Sequence, residues 1–312
     1  MSFNTWNSGA NVEDGVQKIA FTVLQVNPDI VAFQEIENDE VFDKILGYLG
    51  PEWVGIAKNT SYPDAAIATH HSFDNRMCNQ TEKAIGCTIY IDVSRTAGPG
   101  QPQTKRINFW SVHLDYQNYG PYAACNKMTA EPFQIEAGEY NLGEPTNPGR
   151  AQNMMELIEF PHFVNHVGQV TSHKIPMIVA GDFNTPSHLD WVPATERTHC
   201  RWSFSWPATR ILNESVGFRD SYREVHPDPL SDPGNTWSTV QKDTPGWGWT
   251  IPEIQDRIDF IHYKGDNIIV PIKSDPYNGH GSVLPKPFYQ HNRYPSDHFS
   301  VVSDFQWNIS NV

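Results

Sequence analysis

Pro176-Met177-Ile178-Val179-Ala180-Gly181-Asp182-Phe183-Asn184 decides the fold of this chain. Its apolar run reads as a buried strand, and that strand delivers Asp182 and Asn184 at its C-terminal end. The two polar residues lie two apart, so on an extended segment they face the same side. The same pattern, an apolar run tied to a residue that can hold a cation or a proton, recurs along the chain. The other islands are Asn7 in Phe3-Asn4-Thr5-Trp6-Asn7, Glu35 in Val31-Ala32-Phe33-Gln34-Glu35 and His113 in Ser111-Val112-His113-Leu114-Asp115. Two more are Asp259 in Asp256-Arg257-Ile258-Asp259-Phe260-Ile261 and the pair Asp297-His298 in Tyr294-Pro295-Ser296-Asp297-His298. All offer oxygen or imidazole and none offers cysteine, which describes a hard-cation site able to activate water against a phosphate ester.

Working outward, Val12, Val16, Ile19, Ala20, Val23 and Leu24 recur at helical spacing and predict an amphipathic helix over 11–26, ending near Asn27-Pro28. Ile30 to Phe33 reads as a buried strand, and Val41, Phe42, Ile45, Leu46 and Leu49 place a second helix over 39–49. Strands follow at 65–70, 86–93 and 106–113, the last two joined by a turn at 98–103, and 115–148 reads as a long irregular loop. Helical periodicity returns over 150–168, with Pro161 as a kink or break, and further strands are expected at 257–263, 267–272 and 298–305. Strands alternate with helices first and then follow one another. That order predicts mixed sheets packed between helices rather than a doubly wound parallel fold.

The 312 residues can bury roughly 75% of their extended surface, and islands from residue 7 to residue 298 favour one domain over 1–312. No apolar run approaches the ~20 residues of a membrane helix. Thirty-six acidic against 22 basic residues give a formal charge of −14, with no local concentration of lysine or arginine to meet a nucleic-acid backbone. Acidity of this kind serves solubility, and it also draws in divalent cations.

Cys78, Cys87, Cys125 and Cys200 show no C-x-x-C spacing and sit in none of the islands, which speaks against zinc and thiol chemistry. Cys78 and Cys87 flank a polar stretch that could close a short loop, leaving Cys125 and Cys200 as the second pair among three possible connectivities. Four N-x-S/T acceptors, at Asn59, Asn79, Asn213 and Asn308, point with the disulfides to an oxidising, glycosylating exterior. A signal peptide is absent, and the chain opens almost directly on a strand, as a mature form with an added Met1 would; secretion is the expectation.

Hydrolysis of a phosphate ester needs a cation on the non-bridging oxygens, a base for water and donors for developing charge. Glu35 is the natural metal carboxylate, Asn7 adds a neutral oxygen, and Asp297 completes the protein ligands. His298 can accept the proton from water, with Asp259 holding its tautomer. Asp182 and Asn184 can grip the nucleophilic water and a phosphate oxygen, and His113 then faces the phosphate as a donor.

With Trp6-Asn7, Gln34-Glu35, His113-Leu114, Gly181-Asp182-Phe183-Asn184, Arg257-Ile258-Asp259-Phe260-Ile261 and Ser296-Asp297-His298 in that order, the chain resembles the endonuclease/exonuclease/phosphatase superfamily. The resemblance spans nearly the whole chain. It implies a four-layer α/β sandwich, two face-to-face mixed β-sheets flanked by helices, with an Mg²⁺- or Mn²⁺-dependent phosphoesterase site at one end; Ca²⁺ is also compatible. It implies metal binding by Asn7, Glu35 and Asp297, orientation of nucleophile and phosphate by Asp182 and Asn184, an Asp259–His298 pair, and transition-state stabilisation by His113. His113-Leu114 is similar to the branch that holds pancreatic-type deoxyribonucleases, sphingomyelinases, inositol phosphatases and deadenylases. Gly234-Asn235-Thr236-Trp237-Ser238 is similar to secreted members without an assigned substrate. Ala66-Ile67-Ala68-Thr69-His70-His71 departs from relatives that carry an Ile-Leu-Ser-Arg run, which removes a phosphate contact by arginine there.

Blander roles are expected elsewhere. Asp220 caps the helical turn after it, Arg150 and Gln152 position the helix they begin, and Trp237, Trp247 and Trp249 belong to a packed loop. His70 and His71 read as a polar strand end rather than a second metal site. The first expectation is a secreted phosphoesterase acting on a small or lipid-like ester by direct attack of water. A deoxyribonuclease-like endonuclease, with nucleic acid as substrate only, and a catalytically silent secreted binding protein are the alternatives; no protein partner is expected.

Overall fold

The strand read from Pro176 begins one residue later and runs Met177–Asp182 (β8), with all six residues buried. Its parallel neighbour β7 (Thr104–His113) sets His113 level with Asp182, and its antiparallel neighbour β10 (Asp259–Lys264) sets Asp259 level with Asp182. Register alone therefore gathers three islands at one sheet end. Gly181 is needed here, because a Cβ on it would lie 1.9 Å from the Val112 carbonyl oxygen, a main-chain atom that cannot step aside.

The computed structural model describes residues 1–94, 103–143, 147–244 and 250–308. Among them β8 sits in a six-stranded sheet of order β5-β6-β7-β8-β10-β9, completed by β5 (Ser72–Gln80), β6 (Ala84–Asp92) and β9 (Arg219–Asp220). The second sheet, also six-stranded, has the order β11-β12-β1-β2-β4-β3. Its strands are β1 (Ser2–Asn4), β2 (Ile30–Ile36), β3 (Val54–Ala57), β4 (Asp64–Thr69), β11 (Ile269–Tyr277) and β12 (Ser300–Trp307). Each sheet carries one parallel pair, β7–β8 and β1–β2, so both are mixed.

Alternation along β2 and β4 shows why the sheets stack. Ile30, Ala32, Ala65 and Ile67 enter the core shared with Ile85, Phe109 and Val179 of the other sheet. Val31, Phe33, Ala66 and Ala68 point the opposite way, against Ile19, Val23, Phe42 and Ile45. Burial on both faces explains the continuous apolar runs, and each large side chain so buried contributes about 1.5–3 kcal/mol. The outer layers are α1 (Gly15–Val26) and α2 (Asp39–Leu49) on one side. On the other are α5 (Arg150–Glu159), α6 (Pro161–Ser172) and α7 (Pro207–Val216). This is the four-layer α/β sandwich expected.

The differences from expectation have local causes. The described residues of 115–148 hold two short helices, α3 (Gly120–Cys125) and α4 (Pro132–Tyr140), each started by a proline in its first turn. The helix over 150–168 breaks at Pro161, whose ring removes a main-chain donor, and resumes to Ser172. The first helix starts at Gly15 rather than 11, because Asn7, Ser8 and Asp14 adopt positive φ and wind the preceding turns. Strands β3, β5 and β9 and helix α7 were not expected. Most of the turn at 98–103, together with Trp247 and Trp249, lies outside the described residues.

Disulfides join Cys78 to Cys87, directly opposed on β5 and β6, and Cys125 to Cys200. That is the connectivity favoured by the short loop. Asn59 and Asn79 are exposed, whereas the Asn213 Nδ2 donates to Phe218 O at 2.6 Å.

Candidate active site

Asp182 is the hub of a cavity of about 680 Å³ at the sheet ends, whose walls include Glu35, His113, Asn184, Asp297 and His298. Its Oδ2 lies 3.0 Å from Asn4 Nδ2, 3.6 Å from His113 Nε2 and 3.7 Å from His298 Nε2; its Oδ1 accepts the Asn184 main-chain N–H at 2.8 Å. The Asn184 side chain donates to Leu114 O at 3.0 Å, which pins the loop leaving β8 to the one leaving β7.

Each histidine is backed by a carboxylate. His298 Nδ1 sits 2.9 Å from Asp259 Oδ2, and His113 Nδ1 sits 2.7 Å from Asp64 Oδ1. With both Nδ1 atoms so occupied, the Nε2 atoms are the ones turned toward Asp182.

Glu35 comes from the other sheet. Its Oε1 accepts from Asn4 Nδ2 at 3.0 Å and its Oε2 from the Asn7 main-chain N–H at 2.7 Å. Asp297 precedes β12, and Ser296 Oγ donates to Asn4 O at 2.7 Å, which fastens that approach to β1.

The electrostatics are those of an acid-rich pocket. Burial pushes the Asp297 carboxyl up to about 7, aided by Glu35 and opposed by His298 and Lys286. Burial and neighbouring Asp259 raise Asp182 to about 6 against the pull of both histidines. Burial disfavours charge on His113, yet Asp64, Asp182 and Glu35 outweigh it and lift its pKa to about 9. The same contest around His298, with Asp259, Asp182 and Asp297 prevailing over burial, holds it well above the ordinary imidazole value.

Two carboxylate oxygens, Asp297 Oδ1 and Asp259 Oδ1, are buried without a hydrogen-bond partner. Asp182, Asp259 and His298 bring ligand atoms within 4.8 Å of one another. Unsatisfied buried oxygen among like charges is what a divalent cation relieves, so the donor set fits a hard ion.

Over residues 1–298 the chain matches the model of the Endonuclease/Exonuclease/phosphatase family. It belongs to that family. It is 45% identical over 305 residues to an uncharacterized protein of Caenorhabditis elegans, covering 98% of this chain and 90% of the relative. The fold is similar to the human Nocturnin catalytic domain with bound sulfate anion, at 17% identity and TM-score 0.54, covering 98% of this chain and 93% of that one. It is also similar to an AP endonuclease from Archaeoglobus fulgidus, at 15% identity and TM-score 0.55 over 98% of both chains. At those identities the likeness is one of fold. The family is one of metal-dependent phosphoesterases and nucleases, and the acid-rich cavity holds a cluster of ligand atoms that fits a divalent cation.

Seven of the eight residues singled out from sequence line the cavity, and the eighth, Asp259, stands behind His298. Asn7 differs in lying at its exposed rim. β1 ends at Asn4, and the chain then turns through positive φ at Trp6, Asn7 and Ser8, which leaves the Asn7 side chain exposed at the rim. The asparagine buried between Glu35 and Asp182 is Asn4, which sequence reading passed over although it directly follows the strand residue Phe3. Asp64 was also missed, since nothing local links it to a histidine 49 residues away.

The remaining motifs have structural partners. Asp220 Oδ1 accepts from Tyr222 N at 3.0 Å as a cap, while its Oδ2 takes Arg257 Nη1 at 2.6 Å. Arg150 is fully buried and grips Glu139 together with the carbonyls of Asp115, Gln117 and Asn118, so it anchors the 115–140 segment as well as its own helix. His71 Nε2 lies 3.0 Å from Asp29 Oδ1 and its Nδ1 accepts the Asp92 main-chain N–H at 3.2 Å. Accepting at Nδ1 leaves the proton on Nε2, where it donates to Asp29 and offers no lone pair to a cation.

Proposed function

We propose that this protein is a divalent-metal-dependent phosphoesterase that hydrolyses a small or lipid-like phosphate ester by direct attack of water, without a covalent enzyme intermediate. The observation that carries the proposal is the buried His298–Asp259 pair facing Asp182 in the same cavity as Glu35 and as Asp297, whose Oδ1 has no hydrogen-bond partner. Glu35 and Asp297 would hold the cation, with the Asn7 main chain and Asn4 orienting Glu35. Mg²⁺ or Mn²⁺ suits these oxygen donors, and Ca²⁺ is compatible. When bound, the cation supplies Lewis acidity to the phosphate oxygens and offsets the carboxylate charge that otherwise keeps a proton on His298.

The chain's own groups do the rest. His298 takes the proton of the attacking water at Nε2, with Asp259 fixing its tautomer through Nδ1. Asp182 and Asn184 orient the water and a phosphate oxygen from the end of β8 and the second residue after it. His113, kept charged by Asp64, donates from Nε2 to a non-bridging oxygen as negative charge builds there. Because the site uses residues from Asn4 to His298, we treat 1–312 as one functional unit. Two disulfides and exposed sequons at Asn59 and Asn79 support a secreted glycoprotein.

A panel of phosphomonoesters, phosphodiesters, sphingomyelin and plasmid DNA with Mg²⁺, Mn²⁺ and Ca²⁺ tests this. Hydrolysis of a small ester outpacing plasmid nicking is the expected result; nicking as the faster reaction would move the assignment to an endonuclease. His298→Ala should lose roughly 10²–10⁴-fold in kcat/KM with an unchanged circular dichroism spectrum. Near-normal turnover in that variant rules the mechanism out.

A further inference from the structure

One wall of the cavity includes Tyr119, Tyr122 and Trp237, and each turns its polar atom away to a carboxylate behind the wall. Tyr122 Oη donates to Glu253 Oε1 at 2.5 Å, Trp237 Nε1 donates to the same oxygen at 2.9 Å, and Tyr119 Oη meets Asp256 Oδ2 at 3.4 Å. Glu253 and Asp256 are both buried. A phenol and an indole each own a single donor, so with those donors committed the wall offers a ligand its ring faces and no free N–H or O–H. Tyr119 and Tyr122 pack edge to face, centroids 5.1 Å apart, and Trp237 lies 4.8 Å from the His298 ring. The wall therefore begins beside the group assigned as base. A polyol hydroxyl placed against it would give up water without gaining a donor, whereas a planar ring gains stacking and burial.

We propose that this wall selects phosphate esters in which the group joined to phosphorus carries a planar unsaturated ring, aryl or nucleobase, over esters of glycerol or inositol. The inference rests on the phosphoesterase assignment for where phosphorus sits. Ring selection itself can be read without turnover.

Calorimetric titration in Mg²⁺ with benzylphosphonate, a nucleoside 5′-phosphonate and 2,3-dihydroxypropylphosphonate tests it, since a carbon–phosphorus bond resists hydrolysis. Both ring-bearing ligands should bind at least about tenfold tighter than the dihydroxypropyl ligand, the size of one stacking contact. Comparable affinity for the two identifies the ring alone as the determinant, and a tighter nucleoside identifies a base with its ribose. Trp237→Leu and, separately, Tyr119→Leu should bring the ratio close to one, while Trp237→Phe, which keeps a ring in place, retains most of it. Equal or tighter binding of the dihydroxypropyl ligand, a ratio unmoved by either leucine variant, or no binding of the ring-bearing pair at millimolar concentration overturns the proposal. Ester hydrolysis without ring preference sinks this inference alone. Ring preference without hydrolysis of any ester sinks only the phosphoesterase assignment.

Discussion

Two buried acidic clusters flank the segment Asp256-Arg257-Ile258-Asp259, and they are built on opposite rules. In one, Asp190 accepts from Arg223 Nε at 2.7 Å and from Arg257 Nε and Nη2 at 3.0 and 2.8 Å, while Asp220 takes Arg257 Nη1 at 2.6 Å. Both carboxylates there meet a guanidinium, and Asp190 takes two nitrogens of the Arg257 fork, the pairing best suited to buried charge. In the other, Asp182, Asp259, Asp297 and Glu35 gather around imidazoles, the Asn4 side chain and the main-chain N–H groups of Asn7 and Asn184, and two oxygens go without partners. The first cluster is complete within the chain. On the proposed function a divalent cation would complete the second, and that difference separates a structural ion network from a candidate site.

Removing one partner should therefore have opposite consequences in the two places. Arg257→Met strips Asp190 and Asp220 of their main counter-charge, and leaving buried carboxylates uncompensated costs about 3–5 kcal/mol. Urea unfolding should show that loss with or without divalent metal; a variant as stable as the parent would dissolve the distinction between the clusters. Asp297→Asn is the counterpart. It removes a buried carboxyl whose pKa is already pushed up to about 7, so metal-free stability should hold or rise. What the variant should lose is the stabilisation by Mg²⁺, about 2.7 kcal/mol for the parent at a hundredfold excess over Kd. A melting temperature that still climbs with Mg²⁺ in the variant would show that Asp297 is no ligand.

The same contrast explains what the sequence could and could not disclose. Strand-end islands were legible because each couples an apolar run, which the core requires, to a polar residue that the run has no use for; Ala180-Gly181-Asp182 and Val112-His113 are such junctions. The four-layer sandwich followed from the strand runs and the family likeness together. Asn4 stayed hidden because Asn4-Thr5-Trp6-Asn7 offers two asparagines, and only the end of β1 after three residues decides between them. Asp64 stayed hidden because its bond to His113 links β4 to β7 across the two sheets, and no local periodicity encodes a contact between sheets. Helices α3 and α4 escaped for another reason: they are short, and the charged residue that fixes them, Arg150, lies in the following helix.

Asp64 stands between the two rules and gives the smallest effect. It has a charged partner, as Asp220 has, but that partner is a histidine that itself faces the site, and both side chains keep some solvent contact at 17% and 12% exposure. Burial works against charge on Asp64, yet His113, Lys58 and Lys83 prevail and hold its pKa below the ordinary value. On the histidine the sign runs the other way. A folded-state pKa of about 9 against an unfolded value near 6.5 means that this contribution to stability is fully present below pH ~6.5 and fades as pH rises through about 9. Asp64→Asn keeps the shape and removes the charge. Its stability deficit should be about 1.5 kcal/mol at pH 6, the low end for a hydrogen bond to a charged group because of the residual solvent contact, and should vanish above pH ~9. The alkaline limb of kcat should move toward neutral pH in parallel, with turnover at pH 8 down roughly tenfold for each 1.4 kcal/mol withdrawn from the transition state. A stability deficit that is flat with pH, or an alkaline limb that does not move, would mean that His113 does not act as the charged donor and that Asp64 belongs with the structural carboxylates.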